Sequence, residues 1–255
     1  MLYSIISRIG EAKQEENMKT SLNVVWVYAF YIIFFLANIL LFVIDQNFYE
    51  KYFAGEDRLI EWLTCIGFFC ASLICLSVIQ KYKAFMNRWI LFYLAGFALF
   101  FFVWAGEEIS WGQRILGFQT PEILLEHNQQ EEFNIHNLDL KLLHPRDVMG
   151  VYVYLVGIIL PLFFFFKKSS PSDTWRLFIY PPAIAFCFIW AEMLNLSREP
   201  FCSFLAGRVD EKTLGLITNQ IEESVEMYWG FSALFGMMCI NKAWDHYASC
   251  RKTDQ

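Results

Sequence analysis

The chain has 255 residues, of which 56% are hydrophobic, 19% aromatic and only 18% charged; its mean hydropathy is +0.36. A soluble domain carries about 25% charged residues, so this composition belongs to a membrane protein. The formal net charge of −6 excludes the basic surface that a nucleic-acid partner needs.

In chain order, residues 1–21 form a cytoplasmic segment whose start, MLYSIISRIGEAKQ, reads as a short amphipathic surface helix or a frayed end. Six apolar runs come next, each near the roughly 20 residues that a helix needs to cross hydrocarbon. They are 22–44, 59–80, a run from Trp89 into FFVWAGEEISWGQRILGF, then 148–166, 177–196 and about 221–240. The first is too long for a signal-peptide core and lacks a small-residue cleavage site, so it reads as a retained anchor. Lipid offers backbone groups no partner, so the expected fold is all-α. It is a polytopic bundle of six transmembrane helices over 22–241, with a short helix in an outer loop and a tail over 242–255. The seven cysteines form no CxxC pair and read as small buried hydrophobes.

Lysine and arginine set the expected orientation. Arg8, Lys13 and Lys19 precede span one; Lys81, Lys83 and Arg88 come after span two; Lys167, Lys168 and Arg176 come after span four; Lys242, Arg251 and Lys252 lie in the tail. With six spans these segments share one side, placing both termini in the cytoplasm and loops 45–58, 109–147 and 197–220 outside.

Depth then becomes countable. Span three starts inside at Trp89, and the twentieth residue is Glu108. Counting twenty residues back from Ile240 on span six puts Glu222, Glu223 and Glu226 in the same outer zone. Glu192 on span five and Glu61 in the first turn of span two reach it too. Carboxylates at such depth are functional candidates, because each must face the bundle, a partner or water. The plain alternative is a set of solvated interfacial acids, and for Glu61 a helix N-terminus is a further one. Continued as a helix, the third span puts Glu107, Ser110, Trp111 and Arg114 on one face, with Glu108, Trp111 and Gly112 on the next. Gln113 completes the polar set, and Trp62, Trp111 and Trp229 are candidate aromatic walls or an interfacial belt.

The outer loop adds nitrogen donors. Thr120-Pro121-Glu122 reads as a helix start, with Ile123–His127 as the short helix. Of His127, His136 and His144, His136 is the best candidate, because Asn134, His136 and Asn137 surround one apolar residue in a loop able to fold back as a lid. Imidazole with carboxylates binds zinc, manganese or iron, so Glu108, His136, Glu223 and Glu226 are candidate ligands of a divalent metal. No tight ligand motif, GxSxG elbow, phosphate loop or paired Glu-x-x-His is present.

The segments EDRLIEWLT, GEEISWGQRILGFQTPE and NIHNL, in this order over residues 56–138, resemble a family of uncharacterised bacterial multi-pass inner-membrane proteins. The resemblance is most specific over 106–117. It implies an inner-membrane location and carries no activity.

Together these features point to an outward-facing membrane-embedded site for metal-assisted hydrolysis or transfer on a lipid or lipid-linked substrate, with membrane lipids as partners. Glu107, Glu108, Arg114, His136, Glu223 and Glu226 are its expected ligands, acid–base groups or head-group contacts. An ion-coupled transporter is the alternative, weakened by the absence of matching charge on the inner halves of the helices. A non-catalytic assembly or sensor subunit is the third, with the acids paired to Arg114, Arg198 or Arg208.

Overall fold

A computed structural model describes residues 24–53, 58–121, 133, 145–166 and 177–253. Apart from one isolated bridge between Ala206 and Val209, the regular structure among these residues is helical. Four helices are long and apolar enough to cross a membrane, over Val24–Ile44, Leu59–Phe85, Arg88–Glu108 and Asp147–Phe166.

The chain divides into two units, Met1–Gln46 and Asn47–Gln255. The first contains α1, Val24–Ile44. Its one mid-helix amide is satisfied locally, with Asn38 Nδ2 donating to the Phe34 carbonyl at 2.9 Å. That bond lets a polar residue sit in an otherwise apolar span.

The second unit takes in α2 (Gln46–Tyr52) from its second residue on, then α3 (Leu59–Tyr82) and α4 (Arg88–Glu108). Asn87 caps α4, its side chain accepting from the backbone N–H of Trp89 and Ile90 at 3.0 Å. The short helix α5 is Gln113–Leu116. Helix α6 covers 145–166 and contains a π-helical stretch, Tyr152–Ile159. Helix α7 is Pro182–Leu205, opened by a proline at its start, and α8 is Glu211–Thr253.

α8 is the spine: it packs along α3 on one side and α7 on the other, while α3 packs on α4 and α7 on α6. Aromatic rings link α4 to α6, with Tyr152 5.1 Å from Phe100 and 5.5 Å from Phe101 between ring centres. Gly67 and Gly230 allow α3 and α8 to touch backbone to backbone, since a Cβ on Gly67 would lie 2.8 Å from the Gly230 carbonyl carbon. Close approach through small residues is how helices gain contact where lipid removes the hydrophobic drive. At the far end Tyr82 donates to Asp245 and stacks on Trp244. The two contacts share one offset of 163 residues, so α3 and α8 run parallel in constant register. α4 runs antiparallel to α3, with Ser72 Oγ donating to the Ala98 carbonyl at 2.7 Å and Phe68 stacked on Phe101.

The expected boundaries change in two places. The run expected over 177–196 is a helix over Pro182–Leu205, and the one expected over 221–240 lies within a helix of 43 residues that also takes in most of the expected tail. These two helices pair antiparallel as a hairpin, through Arg198–Glu222 at 2.9 Å and Cys202 Sγ to Thr218 Oγ1 at 3.2 Å. Helix–helix partners, not lipid, receive their polar residues, so hydropathy alone finds only their apolar centres.

Candidate functional site

The packing register fixes the relative levels of the acids. The 163-residue offset aligns Glu61 of α3 with Ser224 of α8, between Glu223 and Glu226. The antiparallel α3–α4 pairing sets Glu107 and Glu108 opposite residues 62–63. Glu192 of α7 is bonded to Trp229 of α8. The acids of four helices therefore lie within about two helical turns of one level.

Glu107 and Glu108 end α4 and are both buried, at 3% and 8% exposure. The chain then leaves the helix. Ser110, Trp111 and Gly112 have φ of 45°, 55° and 73°, all left-handed. Glycine accepts this freely, whereas Ser110 and Trp111 each cost on the order of 1–3 kcal/mol. The turn folds Trp111 back onto its own helix. Its Nε1 donates to Glu107 Oε1 at 2.6 Å, its ring meets Phe102 edge-on, and it lies so close to Gly106 that a Cβ there would be 2.9 Å from the indole. The expected continuous helical face through Glu107, Ser110, Trp111 and Arg114 is thus corrected. Glu107 and Trp111 do meet, but through a reversed turn.

Beyond the turn, Gln113 ties three segments together. Its Nε2 donates to Thr120 Oγ1 at 2.8 Å, and its Oε1 accepts from the Phe133 backbone N–H at 2.6 Å. Phe133 in turn packs edge-on to Phe118. Ser110 is buried. The Arg114 side chain, the helix expected over 123–127, and His127, His136, Asn137 and His144 lie outside the described residues.

On the α7–α8 side, Glu192 is 5% exposed. Its Oε2 accepts from the Tyr154 hydroxyl at 2.5 Å and its Oε1 from Trp229 Nε1 at 3.0 Å. Glu222 pairs with Arg198, as the structural reading of that acid expects. Glu61, Glu223 and Glu226 are half-buried.

Two neighbours escape sequence reading. Tyr49 of α2 is fully buried; burial first, then the Glu223 charge and Tyr228, push its phenol well above the usual range. α2 is tied to α8 by the ion pair of Glu50 with Lys212 at 2.8 Å. Cys65 sits near enough to Glu108 to feel its charge. Neither residue carries a sequence signal, because one lies in an interspan segment and the other in an apolar run.

Among the described residues, no group of three or more His, Cys, Asp and Glu side chains is arranged to hold a metal ion. Comparison with protein-family models, curated proteins and solved structures gives no match to this chain.

Proposed function

We propose that this protein is a six-span protein of the bacterial inner membrane, with both termini cytoplasmic and an outward-facing acidic site. The site handles the polar head of a lipid or lipid-linked substrate by hydrolysis or group transfer. Two further crossings by α7 and α8 are supported by the register of α8 along the spanning helix α3.

The observation that carries the reading is the convergence of Glu61, Glu107, Glu108, Glu223 and Glu226 on one level of the bundle. An acid–base reaction at an apolar boundary needs carboxylates held in place before the substrate arrives. The Trp111 indole gives Glu107 such a fixed position. In this reading Glu107 and Glu108 exchange protons with the reacting group, and Arg114 holds an anionic head group through its planar donor fork. The metal-assisted form, with a divalent ion on Glu108, His136, Glu223 and Glu226, would require the three glutamates to close on one ion, which their described arrangement does not do.

The test compares the lipid composition of cells with and without the protein, then of cells carrying Glu107→Gln or Glu108→Gln. Each variant should lower turnover of the responding lipid by about 100-fold or more, the usual weight of a general acid or base. Full turnover in both variants overturns the reading. Metal analysis of the purified protein decides the metal-assisted form.

An ion-coupled carrier is the second reading. It draws support from one polar pair buried in the bundle, the Tyr152 and Tyr180 hydroxyls 2.9 Å apart. Ion flux in proteoliposomes, abolished by the same substitutions, would favour it over chemistry.

A further inference from the structure

Glu192 stands apart from the outer acids in how it is held. Both of its oxygens accept hydrogen bonds, and both donors, the Tyr154 hydroxyl and the Trp229 indole, are neutral. Among the described residues it has no cationic partner, and the nearby guanidinium of Arg198 is engaged with Glu222. A carboxylate taken from water without a countercharge is costly. A tie between three helices needs no such charge, since a glutamine carbonyl would accept a hydrogen bond at no ionic cost. An acid in this place therefore points to a ligand.

The surroundings show from where. Tyr154 is 44% exposed, although its hydroxyl reaches a side chain that is only 5% exposed. Its neighbours Val151 and Leu155 on α6 are exposed too, at 62% and 46%. On α7, Met193 and Leu196 are 63% and 70% exposed. This is an apolar outer face within the span Asp147–Phe166, and one phenol ring separates it from the carboxylate. The ring sits on the π-helical stretch Tyr152–Ile159. Such stretches are rare and are frequently found at functional sites. Here the π stretch brings α6 close to α7, where Gly157 lies against the Phe188 ring so tightly that a Cβ would be 2.7 Å away.

We infer that Glu192, Tyr154 and Trp229 form a second site, open sideways to the membrane, that binds a membrane-dissolved molecule through a hydroxyl or amine. The incoming O–H or N–H replaces the Tyr154 hydroxyl on Oε2, and Tyr154 swings outward as the gate. Trp229 keeps its bond to Oε1 throughout. The apolar tail lies along Val151, Leu155, Met193 and Leu196. This site stands whether or not the outer acids perform chemistry.

The test is carbodiimide labelling of the full-length protein in lipid nanodiscs, read by peptide mass mapping. A hydrophobic carbodiimide should modify Glu192, and a water-soluble one should not. Tyr154→Phe keeps the ring but removes the latch, and should raise the rate about three- to tenfold, as expected for the loss of one net hydrogen bond. A long-chain alcohol should slow labelling where an alkane of equal length does not, and this marks a hydroxyl-bearing ligand. A long-chain amine should instead be captured as an amide on Glu192, and this marks an amine. Labelling by the water-soluble reagent, no labelling even in Tyr154→Phe, or indifference to both the alcohol and the amine overturns the site. None of these readouts depends on turnover at Glu107 or Glu108.

Discussion

The two ends of the α3–α8 contact are built by different rules. In the middle, Gly67 meets Gly230, and the C-terminal end of the contact is closed by Tyr82, Trp244 and Phe178 in ring contact. One turn from that crossing, toward the N-terminal ends of α3 and α8, begins the acidic level, where buried carboxylates accept from indole and phenol groups. The first region gains from close fit and tolerates no added volume. The second gives up packing to hold charge in fixed positions. Close packing is thus carried by α3 and α8, and the fixed carboxylates by α4 and α7 beside them.

The largest break in this division should come at the crossing. Gly67→Ala gains up to about 1 kcal/mol of helix propensity. Against this, the added methyl would lie 2.8 Å from backbone that cannot yield. Overpacking of this kind costs about 1–3 kcal/mol, so a net loss of stability is expected, read as a lower midpoint of thermal unfolding in detergent. An unchanged or raised midpoint would show that the helices do not touch there.

A smaller effect should separate the regions. Gly106→Ala pushes on a side chain, the Trp111 ring, not on backbone. The ring can leave, at the expense of its bond to Glu107. Gly106→Ala and Trp111→Phe should each lower the midpoint modestly, and the double variant should be less than additive, because both remove the same contact. Full additivity would mean that the indole does not sit over Gly106.

The smallest effect belongs to the hairpin tip, outside both regions. Asp210 caps α8, accepting from the Thr213 backbone N–H at 2.9 Å and from its hydroxyl at 2.7 Å. The Thr213 hydroxyl first, then its backbone N–H, hold the Asp210 carboxyl below its ordinary 3.8. The folded value is therefore the lower one. The contribution is complete above the unfolded value of 3.8 and is lost as pH falls through the lowered folded value. Asp210→Asn keeps a cap but does not titrate, so its small deficit at neutral pH should vanish in acid. A deficit that persists unchanged well below the ordinary value would remove the charge from the explanation.

What the sequence made legible depends on the range of each signal. Long apolar runs reveal spanning helices because lipid acts on every residue of the run. Counting residues from a basic end placed Glu107 and Glu108 at the end of the third apolar run, and they do end α4. The left-handed turn at Ser110 and Trp111 was not legible, since nothing local favours it. It is stabilised by contacts to Gly106, Phe102 and Glu107. Nor were the partners of Glu192, which come from residues 38 and 37 positions away. The extent of α7 and α8 was hidden because the turns near their connection pair polar groups with each other.

The length of α8 has a mechanical consequence. Its 43 residues make a rod of about 65 Å, some twice the thickness of a hydrocarbon layer. Gly230, where it presses on α3 without intervening side chains, lies near its midpoint. A rigid rod held at its centre is a balanced lever. Tilting by about 10° around that fulcrum would carry the Asp210 tip and the opposite end some 5 Å in opposite directions, given arms of roughly 30 Å. Glu223 and Glu226, within about two turns of the fulcrum, would move by only an ångström or two. The geometry gives large displacement at the two ends of the rod and near stillness at Glu223 and Glu226, so α8 can tilt without disturbing the acids it positions.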